Sequence, residues 1–356
     1  MKVKSRYTIT PEAVKKILVR ATNWVGDTVM MIPALDVIDK TFSHAEITVL
    51  ASPWVISLLE HHPAVDRAMI INKGKGLLGT GKELARIVAW MRAERFDLAV
   101  LLQNAFEAAF LASLGKARYR VGYDTDGRGF LLTHRVNRNQ GMVSVHQVEY
   151  FLGLVESMGW QAEERRPILY LDNRDIESAS LLLGSLGIDE NHFVVGLNPG
   201  AAYGSAKRWP EKRFALVGDW ATERWGAKVL LFGAHSESDI TDRVARSMQS
   251  NPADLCGRTT LGQAMALIKR CNLVVSNDSG LMHVAAAFNI PLVALFGPTN
   301  PYETGPLSTN ATIVRHAVEC SPCLKEECPR NHECMVSIQP EEVWEAMERL
   351  KREITG

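Results

Sequence analysis

Three short stretches of the chain carry the residue types that hold phosphate or move a proton. Ser276-Asn277-Asp278-Ser279-Gly280-Leu281-Met282-His283 follows the apolar run Leu273–Val275 and leads into Ala285–Ala287. That order predicts a strand, a tight polar turn and a helix whose first N–H groups lack intrahelical partners, an arrangement suited to an anion. Gly280 would let a phosphate approach the backbone, and His283, four residues past Ser279, falls on the same helix face. The plainer alternative is an Asp or Ser cap on a buried helix. The second stretch, residues 198–210, is glycine-rich and contains Gly200, Ala201, Ser205 and Lys207. Lys207 would supply the positive charge that a diphosphate leaving group requires, without a metal. In the third, Arg20 to Thr28, Asp27 sits where a strand gives way to a helix. There a carboxylate serves as an N-cap or as a base. The helix terminus keeps it ionised but weakens its proton affinity.

Three other patterns point elsewhere. Gly76, four residues, then Gly81-Lys82 nearly matches a Walker A loop, but Glu83 stands where a hydroxyl should hold magnesium. A carboxylate there repels phosphate, so a flexible basic loop is expected. Asp124-Thr125-Asp126 has the spacing of a metal-bridging carboxylate pair; followed by Gly127-Arg128-Gly129, it reads better as a solvated turn. Cys320-x2-Cys323-x4-Cys328-x5-Cys334, with His316 and His332 close by, places four thiols within fifteen residues. They could ligate a structural zinc or remain free, and Pro322 and Pro329 interrupt a spacing already looser than paired CxxC knuckles. Cys256 and Cys271 read as small core residues.

Short β-branched runs alternate with amphipathic stretches and must position these residues. In the first half strands are expected at Lys16–Ala21, Glu46–Ala51, Arg67–Ile71, Asp97–Leu102 and Arg118–Gly122. Helices are expected at Thr28–Lys40, Pro53–His61, Gly81–Arg95, Ala105–Leu114 and Val143–Met158. The second half repeats the plan, with strands at His192–Leu197, Lys228–Phe232, Leu273–Ser276, Leu292–Phe296 and Thr312–Arg315. Its helices are expected at Glu211–Trp225, Glu237–Ser250, Leu261–Arg270 and Leu281–Phe288, with a last one at Pro340–Arg352. The pattern is α/β: two Rossmann-like, doubly wound parallel-sheet domains, 1–170 and 192–356, joined by a linker region at 171–191. In such a sheet the loops at the carboxyl ends of the strands surround one crevice, so the Lys207 loop and the Ser279 turn should face one ligand.

Composition narrows the field. Of 356 residues 46% are hydrophobic and 22% charged, with 40 basic against 40 acidic, a globular balance that gives no reason to expect a nucleic-acid binder. The longest apolar stretch, Leu281 to Gly297, is broken by His283, Asn289 and Pro291, so no membrane span is expected. No signal peptide is visible, and six cysteines are too few for a disulfide scaffold, which suggests a cytoplasmic address. Residues 1–170 carry 22 Lys+Arg against 17 Asp+Glu and the remainder 18 against 23, so the first half is the better match for an anionic partner.

Taken together, Asn23-Trp24-Val25-Gly26-Asp27, Leu102-Gln103-Asn104-Ala105-Phe106, Arg120-Val121-Gly122-Tyr123, Asn198-Pro199-Gly200-Ala201, Lys207-Arg208-Trp209-Pro210 and Ser276 to Gly280 resemble the ADP-heptose:lipopolysaccharide heptosyltransferases. These are inverting glycosyltransferases of the GT-B architecture, and the heptosyltransferase II branch is the most similar. The resemblance runs from Ile17 to about Val343 and implies two domains facing across a cleft. It implies a donor such as ADP-L-glycero-D-manno-heptose on the second domain. Adenine and ribose would lie near Glu237 and Thr259. The diphosphate would lie on Ser279, Gly280 and Lys207, beside Asp278 and His283, with Gly200, Ala201 and Ser205 in the same loop. The acceptor would be the lipopolysaccharide inner core, which carries Kdo, entering over the first domain near Asn104, Arg120 and Arg128. It would be met at the cytoplasmic face of the inner membrane, with peripheral contact to that surface. Asp27 matches the family's general base, and no cofactor is required for catalysis. A non-catalytic nucleotide- or sugar-binding protein on the same fold is the reading from another class. Asp27 discriminates, since a binding module needs no carboxylate there.

Overall fold

The computed structural model describes residues 2–5, 7–72, 76–138 and 144–355. Contacts divide the chain into two compact units, Met1–Tyr170 and Leu171–Gly356. The first unit holds β1 (Val3–Ser5), β2 (Lys16–Arg20), β3 (Glu46–Ala51), β4 (Arg67–Ile70), β5 (Leu98–Leu101), β6 (Tyr119–Tyr123) and β7 (His134–Val136). Their sheet order is β1-β7-β6-β5-β2-β3-β4, parallel throughout except for the antiparallel edge pair β1 and β7. In the second unit β8 (Val194–Asn198), β9 (Lys228–Leu231), β10 (Ala253–Asp254), β11 (Leu273–Asn277), β12 (Leu292–Phe296) and β13 (Ala311–Arg315) form an all-parallel sheet, order β10-β9-β8-β11-β12-β13.

With β1 set aside, each sheet has the Rossmann order 3-2-1-4-5-6. The reversal of strand order falls between β2 and β5 in the first unit and between β8 and β11 in the second. Ligands bind such sheets outside the carboxyl ends of the strands at that reversal. The loops that follow these four strands carry Asp27, Gln103 and Asn104, Lys207, and Asp278 and Ser279.

The central strands are buried on both faces, as their β-branched runs require. Three short strands at or next to the sheet edges, β1, β7 and β10, have two or three residues each and no apolar alternation long enough to show in the sequence. Three expectations shift. The near-Walker segment lies within the helix Gly76–Glu94 and forms no loop; Glu83 accepts from the Asn72 N–H at 2.9 Å and pairs with Arg86 at 2.6 Å. The helix expected from Val143 runs Gln147–Glu156, and Val143 itself lies outside the described residues. The 171–191 region, expected as a linker carrying a polar helix, falls within the second unit, though it does hold the helix Asn173–Ser185. The Asp172 side chain caps it, and it packs on Leu261–Arg270 of the second unit, where Gln263 Nε2 donates to Ser178 Oγ at 2.5 Å.

The last helix, Pro340–Thr355, closes the second unit's core. Val343, Trp344, Met347 and Leu350 are buried against the helix Glu211–Trp225 and the sheet, and the Trp225 and Trp344 rings stack at 4.5 Å. Among the described residues no helix is long and apolar enough to cross a membrane. Trp344→Ala should empty this contact and lower the stability of the second unit by about 3–5 kcal/mol, read as a shift of its urea transition.

Candidate functional site

In the second unit the first strand ends at Asn198, directly opposite Ser276 of β11 in the parallel register. Asn198 Nδ2 donates to Ser276 Oγ at 2.9 Å and to Ser279 Oγ at 2.5 Å. One position on, Asn277 Nδ2 donates to Pro199 O at 2.8 Å while its Oδ1 accepts the Trp209 N–H at 3.1 Å. Asn277 therefore pins both ends of the 199–209 loop to β11, and the loop cannot leave without orphaning its amide, while Asn198 ties the start of that loop to β11 and the Ser279 turn.

That pinning brings Lys207 to Asp278. Lys207 Nζ lies 2.6 Å from Asp278 Oδ2, with the lysine side chain 12% and the aspartate 5% exposed. The same carboxylate oxygen accepts from Thr299 Oγ1 at 2.6 Å, from the loop after β12. An ammonium has three N–H donors and Asp278 uses one, so the others remain for a ligand. Ser279 is the N-cap of the helix Gly280–Ala287, but its side chain makes no capping bond because Asn198 holds its hydroxyl. The first-turn N–H groups are thus not covered by their own cap. His283, buried, lies one turn further into the helix.

Glu237 reaches the same loop from the end of β9. Its Oε2 accepts the Ala234 N–H at 2.8 Å, and a Cβ placed on Gly200 would lie 2.3 Å from its Oε1. Only glycine at 200 leaves room for this carboxylate. Ala201 is buried under the loop, and half-buried Ser205 opens the short 3-10 turn that ends at Lys207. Thr259, half-buried, stands in the loop after β10, one residue before the capping-box residue Thr260. The donor-side candidates thus occupy one end of one sheet, with Glu237 and Thr259 toward the β9–β10 edge.

In the first unit, Asp27 is the third residue of the helix Val25–Thr41 and is half-buried. The N-cap is Trp24, without a side-chain cap bond, so Asp27 occupies the first turn and not the capping position. The preceding loop is fixed by Thr22 Oγ1 and Thr28 Oγ1 at 2.9 Å and by Trp54 Nε1 donating to Asn23 O at 2.8 Å. Trp24 and Trp54 are both about half exposed beside it.

The acceptor-side candidates are placed differently from expectation. Arg128 is fully buried. Its guanidinium donates to Tyr123 O at 3.0 Å, Asn104 Oδ1 at 3.1 Å, Ala105 O at 3.3 Å and Gln103 O, and burial lowers its pKa to about 10. Asn104 Nδ2 in turn donates to Tyr150 Oη at 2.8 Å. Arg120 is half-buried and bonded to Leu131 O and Ala117 O, each at 2.6 Å. These arginines brace the loops after β5 and β6 and do not present a cationic surface. Arg20 is a further buried guanidinium, at the end of β2, bonded to Ala21 O at 2.9 Å and Leu50 O at 3.1 Å.

The Asp124–Asp126 segment is a turn closed by Arg128 N to Thr125 O at 3.0 Å, with left-handed backbone at Asp126 and Gly127. The thiols of Cys320, Cys323, Cys328 and Cys334 are free. Burial, followed by its neighbour Cys328, raises the Cys334 pKa. Among the described residues no group of three or more His, Cys, Asp or Glu stands where it could hold a metal ion.

The model for glycosyltransferase family 9 (heptosyltransferase) matches residues 84–333. The chain is 35% identical to the lipooligosaccharide heptosyltransferase 2 of Haemophilus ducreyi over 84% of its length and 88% of the relative's. It is 31% identical to the lipopolysaccharide heptosyltransferase 2 of Salmonella typhimurium over 95% and 99%. Its structure superposes on the ADP-heptose lipopolysaccharide heptosyltransferase II of E. coli with a TM-score of 0.82 and 27% identity, covering 96% of this chain and 100% of that one. The chain belongs to glycosyltransferase family 9, the heptosyltransferases. It is a glycosyltransferase of the GT-B architecture, built from two Rossmann-like sheets.

Sequence reasoning missed Thr299, Tyr203 and the asparagine pins. Asn198 and Asn277, each the last residue of an apolar strand, were the available signal, because a buried amide there must find partners. Arg128→Met should remove four buried hydrogen bonds without touching solvent-facing charge. The expected cost is roughly 2–4 kcal/mol of first-unit stability, measured by urea denaturation, with nucleotide affinity in the second unit unchanged.

Proposed function

We propose that the chain transfers a heptose from ADP-L-glycero-D-manno-heptose to the heptosyl-Kdo inner core of lipopolysaccharide, with inversion at the anomeric carbon. The observation that carries this reading is the Lys207–Asp278 pair beside an uncapped helix N-terminus at the strand-order reversal of the second sheet. The names of the relatives support the substrate class. The diphosphate would accept hydrogen bonds from the remaining Lys207 N–H donors and from the first-turn amides at Gly280. Glu237, fixed over Gly200, and Thr259 would meet the ribose and adenine on the β9–β10 side.

In the reaction, the acceptor hydroxyl oxygen attacks the anomeric carbon as Asp27 takes its proton. The bond from that carbon to the β-phosphate oxygen breaks on the opposite face, and its electron pair leaves with ADP. Lys207 and the helix N-terminus stabilise the charge that grows on that oxygen, work that a divalent cation does in other transferases. Half-exposed Trp24 and Trp54 offer aromatic faces to an acceptor sugar near Asp27. The excess of five positive charges in residues 1–170 suits an acceptor bearing Kdo carboxylates and peripheral contact with the membrane surface that presents it.

Asp27→Asn separates a base from a first-turn carboxylate that only favours the helix dipole. As a base, its loss should lower turnover by roughly 10²- to 10⁴-fold at saturating donor and acceptor. The dipole contribution is worth at most about 1 kcal/mol of stability, and ADP affinity should hold, because Asp27 and the donor residues lie in different units. Near-normal turnover would remove Asp27 from the mechanism. Transfer should also survive exhaustive EDTA treatment of folded enzyme; loss of activity that magnesium restores would show that Lys207 and the helix do not suffice.

A further inference from the structure

The Cys-rich loop between β13 and the short helix Glu333–Val336 does not stand apart from the donor-side residues. Its backbone is bonded to both loops that flank the Lys207–Asp278 pair. On one side Cys323 N and Leu324 N donate to Pro298 O at 3.0 and 2.9 Å, next to Thr299. On the other, Ala206 N donates to Glu326 O at 3.0 Å and Tyr203 Oη donates to Leu324 O at 2.8 Å. The approach is close: a Cβ on Gly204 would lie 2.1 Å from Glu326 O. The Gly204 φ of 164° is extended backbone that any residue adopts, so it is the proximity of the Cys-rich loop that demands glycine.

Tyr203 joins this loop to the charge. Lys207 Nζ lies 4.8 Å from the centre of the Tyr203 ring, within cation–π range, while the ring's hydroxyl is tied to Leu324 O. A lysine stem is long and rotationally free, and a single carboxylate contact leaves its ammonium able to swing about that contact. Asp278 on one side and an anchored aromatic face on the other restrict it to a narrow range of positions.

We propose that Tyr203 is a positioning residue for the diphosphate site. The Cys-rich loop fixes its ring through the Leu324 carbonyl, and the ring fixes the Lys207 ammonium where the leaving diphosphate must meet it. This rests on the donor-site reading above.

The test is a double-mutant cycle on ADP affinity, measured by titration calorimetry, with thermal melting as the check on folding. Tyr203→Leu should weaken ADP binding roughly threefold to tenfold, the scale of a partly desolvated cation–π contact. Tyr203→Phe keeps the ring and loses only the tether, so its loss should be smaller, about twofold to threefold. In a Lys207→Ala background, Tyr203→Leu should change affinity by less than about twofold, because the group it positions is gone. A merely structural role for Tyr203 would give the same loss in both backgrounds. That result, or unchanged affinity in Tyr203→Leu, overturns the proposal while leaving the donor site in place. If Lys207→Ala itself binds ADP as the unaltered protein does, the donor-site reading falls and this proposal with it. Should Tyr203→Leu fail to fold, the same cycle run with Tyr203→Phe decides, with coupling to Lys207 expected and additivity overturning it.

Discussion

The contact between the Lys207 ammonium and the Asp278 carboxylate, 2.6 Å apart and largely removed from water, makes the heaviest demand on the second unit. Charges taken out of water are tolerated only with partners held in good geometry. The partners here come from three different strand ends. Lys207 hangs on the loop after β8, Asp278 on the turn after β11 and Thr299 on the loop after β12. A parallel sheet brings those ends to one side by construction. The Asn198 and Asn277 amides then convert the neighbourhood into fixed distances, since each spends both its position and its hydrogen bonds on the adjoining loop. The Rossmann strand order and the burial of the central strands on both faces matter to the site because they hold these three ends level.

The first unit meets the same problem with a different solution. Its buried cations, Arg20 and Arg128, donate to backbone carbonyls and to the amide oxygens of Asn23 and Asn104, and burial lowers the pKa of each to about 10. They stiffen the carboxyl-end loops after β2, β5 and β6 from beneath. The loop surface is then left to aromatic groups and carboxylates, with Glu107, Asp124 and Asp126 exposed and Asp27 in the first turn of its helix. One unit holds a cation in its carboxyl-end loops, paired with Asp278, and the other hides its cations under the loops. That contrast fits a site for a diphosphate in the second unit and a site where a proton is removed from a sugar hydroxyl in the first.

Legibility in the sequence followed the range of the signal. The long central strands and helices were readable because β-branched runs and helical periodicity are local, and the Asn277-Asp278-Ser279-Gly280 turn was readable because strand, turn and helix lie within fifteen residues. The short strands β1, β7 and β10 carry too few residues for a period to register. Arg128 looked like a candidate for an anionic acceptor because charge in a glycine-flanked turn usually faces solvent. What buries it is the convergence of Gln103, Asn104 and Tyr123, twenty or so positions away in two cases. The cysteine spacing suggested a metal, yet the loop's visible structural work is done by its carbonyls, at Leu324 and Glu326, and no residue type announces a carbonyl. The tie between Tyr203 and Leu324 spans 121 positions, beyond any local pattern.

The neutrality of the Lys207–Asp278 pair bears on the proposed reaction. A lone buried ammonium would bind the donor's diphosphate strongly in the ground state, and tight ground-state binding does not accelerate the step that follows. Paired with Asp278, the lysine offers no net charge at long range, but it keeps directed N–H donors at short range. Such donors gain most from an oxygen whose charge is growing. The β-phosphate oxygen becomes more negative only as the bond to the anomeric carbon breaks, so the interaction strengthens along the reaction coordinate, and a preorganised donor need not reorient to follow it. For the proposed chemistry, fixing the ammonium from two sides would be worth more than adding charge, and the packing of three loops around one lysine is what such preorganisation would require.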